Sequence, residues 1–188
     1  RLVLLRRGTP GVAYVEGRSQ RHLAVADIVL EGVRLDAGAL LADAALAWLE
    51  PRLVAALAAQ QVGVSAGQLV RTVEYISQRK QFGRALSDNQ VIQHRLVDLY
   101  VEQQEARALC LAAAAEGTPE RAAALGARVS EVARNTWGEA IQLHGAIGMT
   151  EEYVLGEYVR RLALAADLYG SAASHLDRLA HLSLDTTP

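Results

Sequence analysis

The stretch Val62-Gly63-Val64-Ser65-Ala66-Gly67-Gln68-Leu69-Val70-Arg71-Thr72-Val73-Glu74-Tyr75-Ile76 decides the fold class. Val62, Ala66, Leu69, Val73 and Ile76 recur at intervals of three and four, which on a helix gathers them onto one face. Two later stretches repeat the pattern. Ile92, Leu96, Leu99, Gln103, Ala106, Cys110 and Ala113 form a second stripe, and Leu125, Val129, Val132, Thr136, Ala140 and Leu143 form a third. Each stripe must be buried against a neighbouring helix. The punctuation between them agrees: Phe82-Gly83 closes the first helix, Asp88 caps the second, and Gly117 ends it. Thr118-Pro119-Glu120 then supplies a cap, a first-turn proline and an acid for the third. Gly145 and Gly148 interrupt that helix, and shorter helical patterns follow near 151–166 and 171–183. Short connections between long helices predict an up-and-down bundle.

Working outward, residues 1–35 have a different period. Leu2–Leu5, Val12–Val15 and Leu23–Leu30 are β-prone runs separated by Gly8-Thr9-Pro10-Gly11 and Gly17-Arg18-Ser19-Gln20. Three strands make a poor sheet alone. They are expected to be the end of a larger β-domain, so residues 1–42 form one region and residues 43–188 a mainly α bundle. The chain opens at Arg1, and a preceding segment is expected.

The totals exclude several functions. The 188 residues are 51% hydrophobic with a net charge of −2, which leaves no concentrated positive charge for nucleic acid or an anionic membrane. No secretory signal or membrane-spanning run is expected, and a cytoplasmic location is the simplest reading. Cys110 is the lone cysteine, so it forms no internal disulfide and reads as a small buried hydrophobe. The five histidines, His22, His94, His144, His175 and His181, show no metal-ligand spacing. Ser171 and Ser174 lack the context of a hydrolase nucleophile.

Two clusters can carry chemistry. Arg79-Lys80-Gln81-Phe82-Gly83-Arg84 sets three cations, including the chain's one lysine, around an aromatic ring at a helix end. Helix capping explains cations there. A pyrophosphate site also does, because guanidinium forks bind phosphate oxygens and a ring can cover a flat heterocycle. The second cluster, Gln142-Leu143-His144-Gly145-Ala146-Ile147-Gly148-Met149-Thr150, reads as a helix–turn–helix connection whose small residues admit close backbone approach. It follows no strand, so it is not a dinucleotide fingerprint.

Together the two clusters resemble the acyl-CoA dehydrogenase family. Arg79-Lys80-Gln81-Phe82-Gly83 followed by Gln90-Val91-Ile92-Gln93-His94-Arg95-Leu96 is similar to its "RxQFG … QxxQHxLA" passage. Gln142 to Tyr153 is similar to its "QxHGGxGYTxEY" passage, with Ala146 in place of a usual glycine. The resemblance runs over about residues 60–180. It implies an FAD cofactor, an acyl-CoA substrate, electron-transfer flavoprotein as acceptor, and an oligomer. Arg79 would meet the FAD pyrophosphate of a neighbouring subunit, Gln81 and Phe82 would contact that FAD, and Gln90 would bond its adenosine side. Gln142, Gly145 and Ala146 would cradle the pyrophosphate.

One departure stands out. The family's catalytic glutamate falls at Tyr169 here, within Leu168-Tyr169-Gly170-Ser171. A tyrosine, with a pKa of about 10, is a poor base at neutral pH. Some members carry the glutamate on the first long helix, at a position near Leu53; the nearest acid is Glu50, followed by Pro51. The preferred reading is a subunit that lacks its own base and completes an FAD site for a catalytic partner in an α2β2 assembly. Its tail, Leu168-Tyr169-Gly170-Ser171 with His175, looks like those of bacterial steroid-degrading members. The alternatives are a self-sufficient homo-oligomer with a relocated base such as Glu50, and a flavin-free helical interaction module.

Overall fold

The computed structural model describes residues 2–18, 24–150, 152–168 and 170–185. Two compact units divide the chain, Arg1–Leu49 and Glu50–Pro188. In the first, β1 (Val12–Arg18) and β2 (Ala24–Leu30) pair antiparallel with Val12 opposite Leu30 and Arg18 opposite Ala24. Apolar side chains occupy both faces: Val15, Val25, Ile28 and Leu30 are all exposed. The Leu2–Leu5 run makes no strand. Its expected pairing shrinks to one bridge, Val3 to Leu40, held by Leu4 N–H to Ala39 O (2.7 Å) and Leu41 N–H to Leu2 O (2.9 Å). The partner segment has just left a 3-10 turn at Ala37–Ala39, which is too short a run for a ladder.

The second unit is the expected helical bundle. Its long helices are α1 (Ala45–Gln78), whose first turns belong to the first unit, α2 (Gln90–Glu116) and α3 (Pro119–His144). Two shorter helices follow, α4 (Leu155–Leu168) and α5 (Ala172–Asp185). Gly117 ends α2 in the left-handed region at φ 65°, where a side chain would be strained. Thr118 Oγ1 then accepts from Arg121 N–H at 3.3 Å, capping α3. The two-residue link lays α2 and α3 side by side. Ala58, Ala106, Ala113, Leu125, Val129 and Val132 meet in a core of mostly small side chains, which lets the three long helices pack closely. Cys110 packs against that core, and burial pushes its thiol pKa up.

The three stripes fare differently. Every residue of the third is buried. In the second, Leu99, Gln103, Ala106 and Ala113 are buried and the others half-buried. In the first, Leu69 and Ile76 are buried and Val62 and Ala66 half-buried, but Val73 is 42% exposed, and Gln61, Ser65, Gln68 and Thr72 are buried as well. The seam of α1 is therefore partly polar. Gln103 on α2 donates to Val62 O across it at 2.6 Å, and Gln61 donates to Ala165 O on α4 at 2.9 Å. Asp88 also departs from expectation. It sits in a 3-10 turn (Leu86–Asp88) and accepts from Ala85 N–H at 3.1 Å, so Asn89 is left as the residue preceding α2. By length and composition α1 could cross a bilayer, contrary to the sequence expectation, because residues 53–70 carry no charge. A third of its apolar window is buried inside the bundle (33%), where Gln61 bonds to α4 and Gln103 of α2 bonds to Val62 O.

Candidate functional site

The two motifs lie where two long helices stop. Helix α1 ends at Gln78, before Phe82-Gly83 and not at it. Lys80–Gln81 (β3) and Arg84–Ala85 (β4) pair as a miniature hairpin, with Gln81 opposite Arg84. Phe82 and Gly83 form its tip with φ of 52° and 79°. Such a two-residue turn needs two positive φ values, which Asn-Gly supplies cheaply and a phenylalanine does not. The Phe82 ring is fully exposed (100%), so no packing within the chain offsets the strain.

The neighbours of Phe82 are polar and accessible. Arg79 continues from the helix through its N–H to Tyr75 O at 2.8 Å, and its carbonyl accepts from Leu86 N–H at 2.9 Å. Its guanidinium is exposed and takes no side-chain partner among the described residues. Arg84 is engaged, donating to Asn89 Oδ1 at 2.5 Å. Gln81 donates to its neighbour Lys80 O at 2.9 Å, and Gln90 is exposed at the first position of α2.

The second motif is built by burial. His144, the last residue of α3, is 4% exposed. Its Nδ1 lies 2.7 Å from Ala140 O, a contact that makes Nδ1 the N–H donor and Nε2 the lone-pair nitrogen. Nε2 has no partner. The ring stacks on Tyr75 (centroids 4.2 Å apart, planes at 19°) and leans on Tyr153 at 5.3 Å. Tyr75 O–H also donates to His144 O at 3.3 Å. Burial pushes the His144 pKa down against the opposing pull of Ala140 O, so the ring is neutral.

From this anchor the chain turns through a 3-10 segment, Gly145–Met149. Gly145 has φ 64°, and nothing lies within 4 Å of where its Cβ would stand, so its backbone faces open space. Ala146 is exposed and has no positive φ, so it carries its methyl without strain where a glycine is usual. Gly148 is different. A Cβ there would be 3.0 Å from His144 Cβ and 3.2 Å from Leu155 Cδ2, which pins the turn to α3 and α4. Gln142 is exposed one turn earlier.

Tyr75 precedes Arg79 by one helical turn, and His144 precedes Gly145 directly. The Tyr75–His144 stack therefore fastens the roots of the two motifs together. The three-ring contact was not legible as a site; its only trace in sequence is an aromatic residue flanking each motif.

The candidates for a base present a contrast. Tyr169 lies outside the described residues. Glu50 is a salt-bridge and hydrogen-bond partner of Arg178 on α5, 128 positions away. That hydrogen bond, outweighing burial, holds its carboxyl below the ordinary range. His175, the last residue of the tail resemblance and not a base candidate, is 6% exposed and lines a cavity within the bundle.

A family model described as acyl-CoA dehydrogenase, C-terminal domain, matches residues 52–184. The acyl-CoA dehydrogenase IpdE2 of Mycobacterium tuberculosis is 40% identical over 123 residues, covering 65% of this chain and 39% of that protein. The ChsE4–ChsE5 complex of Mycobacterium tuberculosis superposes with a TM-score of 0.88 at 25% identity, over 99% of this chain and 52% of the matched one. A Tcur3481–Tcur3483 steroid ACAD variant gives 0.87 at 28% identity, over 96% and 51%. The chain thus spans about half or less of the length of these relatives. With 133 positions from residue 52 to residue 184 aligned, well over half of the chain, it belongs to the acyl-CoA dehydrogenase family and carries that family's C-terminal helical domain.

Proposed function

We propose that this chain is a subunit of an FAD-dependent acyl-CoA dehydrogenase and contributes half of an FAD site completed across a subunit interface. The observation that carries the reading is Phe82, a fully exposed ring held in a strained turn beside an unengaged guanidinium at Arg79. Strain without internal compensation points to an external partner. The donor set fits the cofactor. Arg79 would hold pyrophosphate oxygens, Phe82 would cover a flat ring with Gln81 beside it, and Gln90 would bond the adenosine side. Gln142 and the open backbone of Gly145 and Ala146 would close around the pyrophosphate. Bound FAD would supply the acceptor for the hydride leaving the acyl β-carbon.

The α-proton needs a carboxylate, and neither position considered for it offers a free one. Position 169 is a tyrosine in sequence, and Glu50 would have to leave Arg178 before it could act. A catalytic partner chain in an α2β2 assembly would hold the base. That favours the paired subunit over a homo-oligomer relying on Glu50. Residues 1–42 would close a larger β-domain, which gives the two-faced apolar hairpin β1–β2 a sheet to join. A steroid acyl-CoA as substrate, electron-transfer flavoprotein as acceptor and a cytoplasmic location complete the proposal.

The test is the visible spectrum of the full-length protein, purified alone and co-expressed with the product of its neighbouring gene. Flavin absorbance that is strong only in the co-purified complex is expected. Turnover by the chain alone would overturn the paired-subunit reading. Absence of flavin from every preparation would leave the helical interaction module.

A further inference from the structure

Gln61 on α1, Ser130 on α3 and His175 on α5 converge on a cavity of about 10 Å³. The three side chains are 5%, 7% and 6% exposed. Gln61 spends its amide N–H on Ala165 O, and its Oε1 has no partner. Neither the Ser130 hydroxyl nor the His175 ring takes a side-chain hydrogen bond among the described residues. The rest of the lining, Val54, Ala58 and Val129 among it, offers no polar side chain. Buried polar groups are rarely left unmatched, and the volume suits one water molecule.

We propose that this cavity seats a single structural water that bridges α1, α3 and α5. The hydrogen-bond count closes. The water donates to Gln61 Oε1 and to the unprotonated ring nitrogen of His175, and accepts from the Ser130 hydroxyl. That requires a neutral His175, and burial together with the nearby Arg178 charge pushes its pKa down. The ring is seated hard against α3: a Cβ on Gly126 would stand 2.6 Å from His175 Nε2. Gln61 meanwhile holds Ala165 O, three residues before the end of α4. Gly170 also lines the cavity, so the water lies against the residues that lead into α5. The inference stands independently of the cofactor reading.

A crystal structure of the full-length protein at a resolution that shows ordered water tests it. Density for one water within hydrogen-bonding distance of Gln61 Oε1, Ser130 Oγ and His175 is expected. A dry cavity, or Ser130 bonded directly to His175, would overturn the proposal. Ser130→Ala, which removes one bond and adds no bulk, should lower Tm by about 2–4 °C; an unchanged Tm would also overturn it.

Discussion

Two long helices end in motif residues, and they end in opposite ways. After α1 the chain makes a two-residue hairpin whose tip, Phe82, is fully exposed and left-handed. After α3 it makes a turn rooted on a buried histidine stacked at 4.2 Å on Tyr75. The first end presents side chains and contributes little to the fold. The second presents backbone, because Gly145 faces open space while Gly148 and His144 fix the turn from beneath. Recognition by side chain can be altered without unfolding the domain; recognition by backbone cannot be separated from the packing that shapes it.

The largest expected effect attacks the buried root. His144→Ala removes a stacked ring from between two tyrosines and should cost about 2–4 kcal/mol, read as a fall in Tm, with flavin content falling alongside. Next comes Arg79→Ala. It removes a charge-assisted contact worth about 1.5–3 kcal/mol, so flavin affinity should drop roughly 10–100-fold with Tm unmoved.

A pH series separates the ends again. His144 and His175 have folded-state pKa values pushed below the ordinary histidine value of 6.5, by burial in both and by Arg178 in the second. A group held neutral in the fold contributes stability above its unfolded pKa and loses it as pH falls through that value toward the folded one. The urea midpoint should therefore decline below about pH 6.5. In His144→Ala that decline should shrink; in Arg79→Ala it should persist. The smallest effect is Phe82→Gly, which should raise stability by about 1 kcal/mol through relief of the left-handed turn while weakening flavin binding. A loss of stability would mean the ring packs somewhere on its own chain.

The same contrast explains what was legible in the sequence. The stripe from Leu125 to Leu143 is apolar save for Thr136 and entirely buried, so periodicity found it. Along α1 periodicity found Leu69 and Ile76 but missed the polar part of the buried face. Gln61, Ser65, Gln68 and Thr72 are also inside; Gln61 reaches Ala165 O on α4 and Thr72 bonds back to Gln68 O, and hydropathy cannot see such pairing. Phe82-Gly83 reads as a helix stop because phenylalanine carries no preference for positive φ; only the pairing of Lys80 with Ala85 reveals a hairpin. The candidate cofactor residues were visible as two motifs. The His144 stack and the Glu50–Arg178 pair were not, since each joins residues far apart in the chain.

The central claim is that the hairpin after α1 is a cofactor contact and not a structural cap. Flavin titration of the full-length Arg79→Ala protein, co-expressed with the product of its neighbouring gene, tests it most directly when paired with a thermal melt. The account predicts an affinity weakened roughly 10–100-fold at an unchanged Tm. An unchanged affinity, or an affinity loss matched by a loss of fold stability, would contradict it.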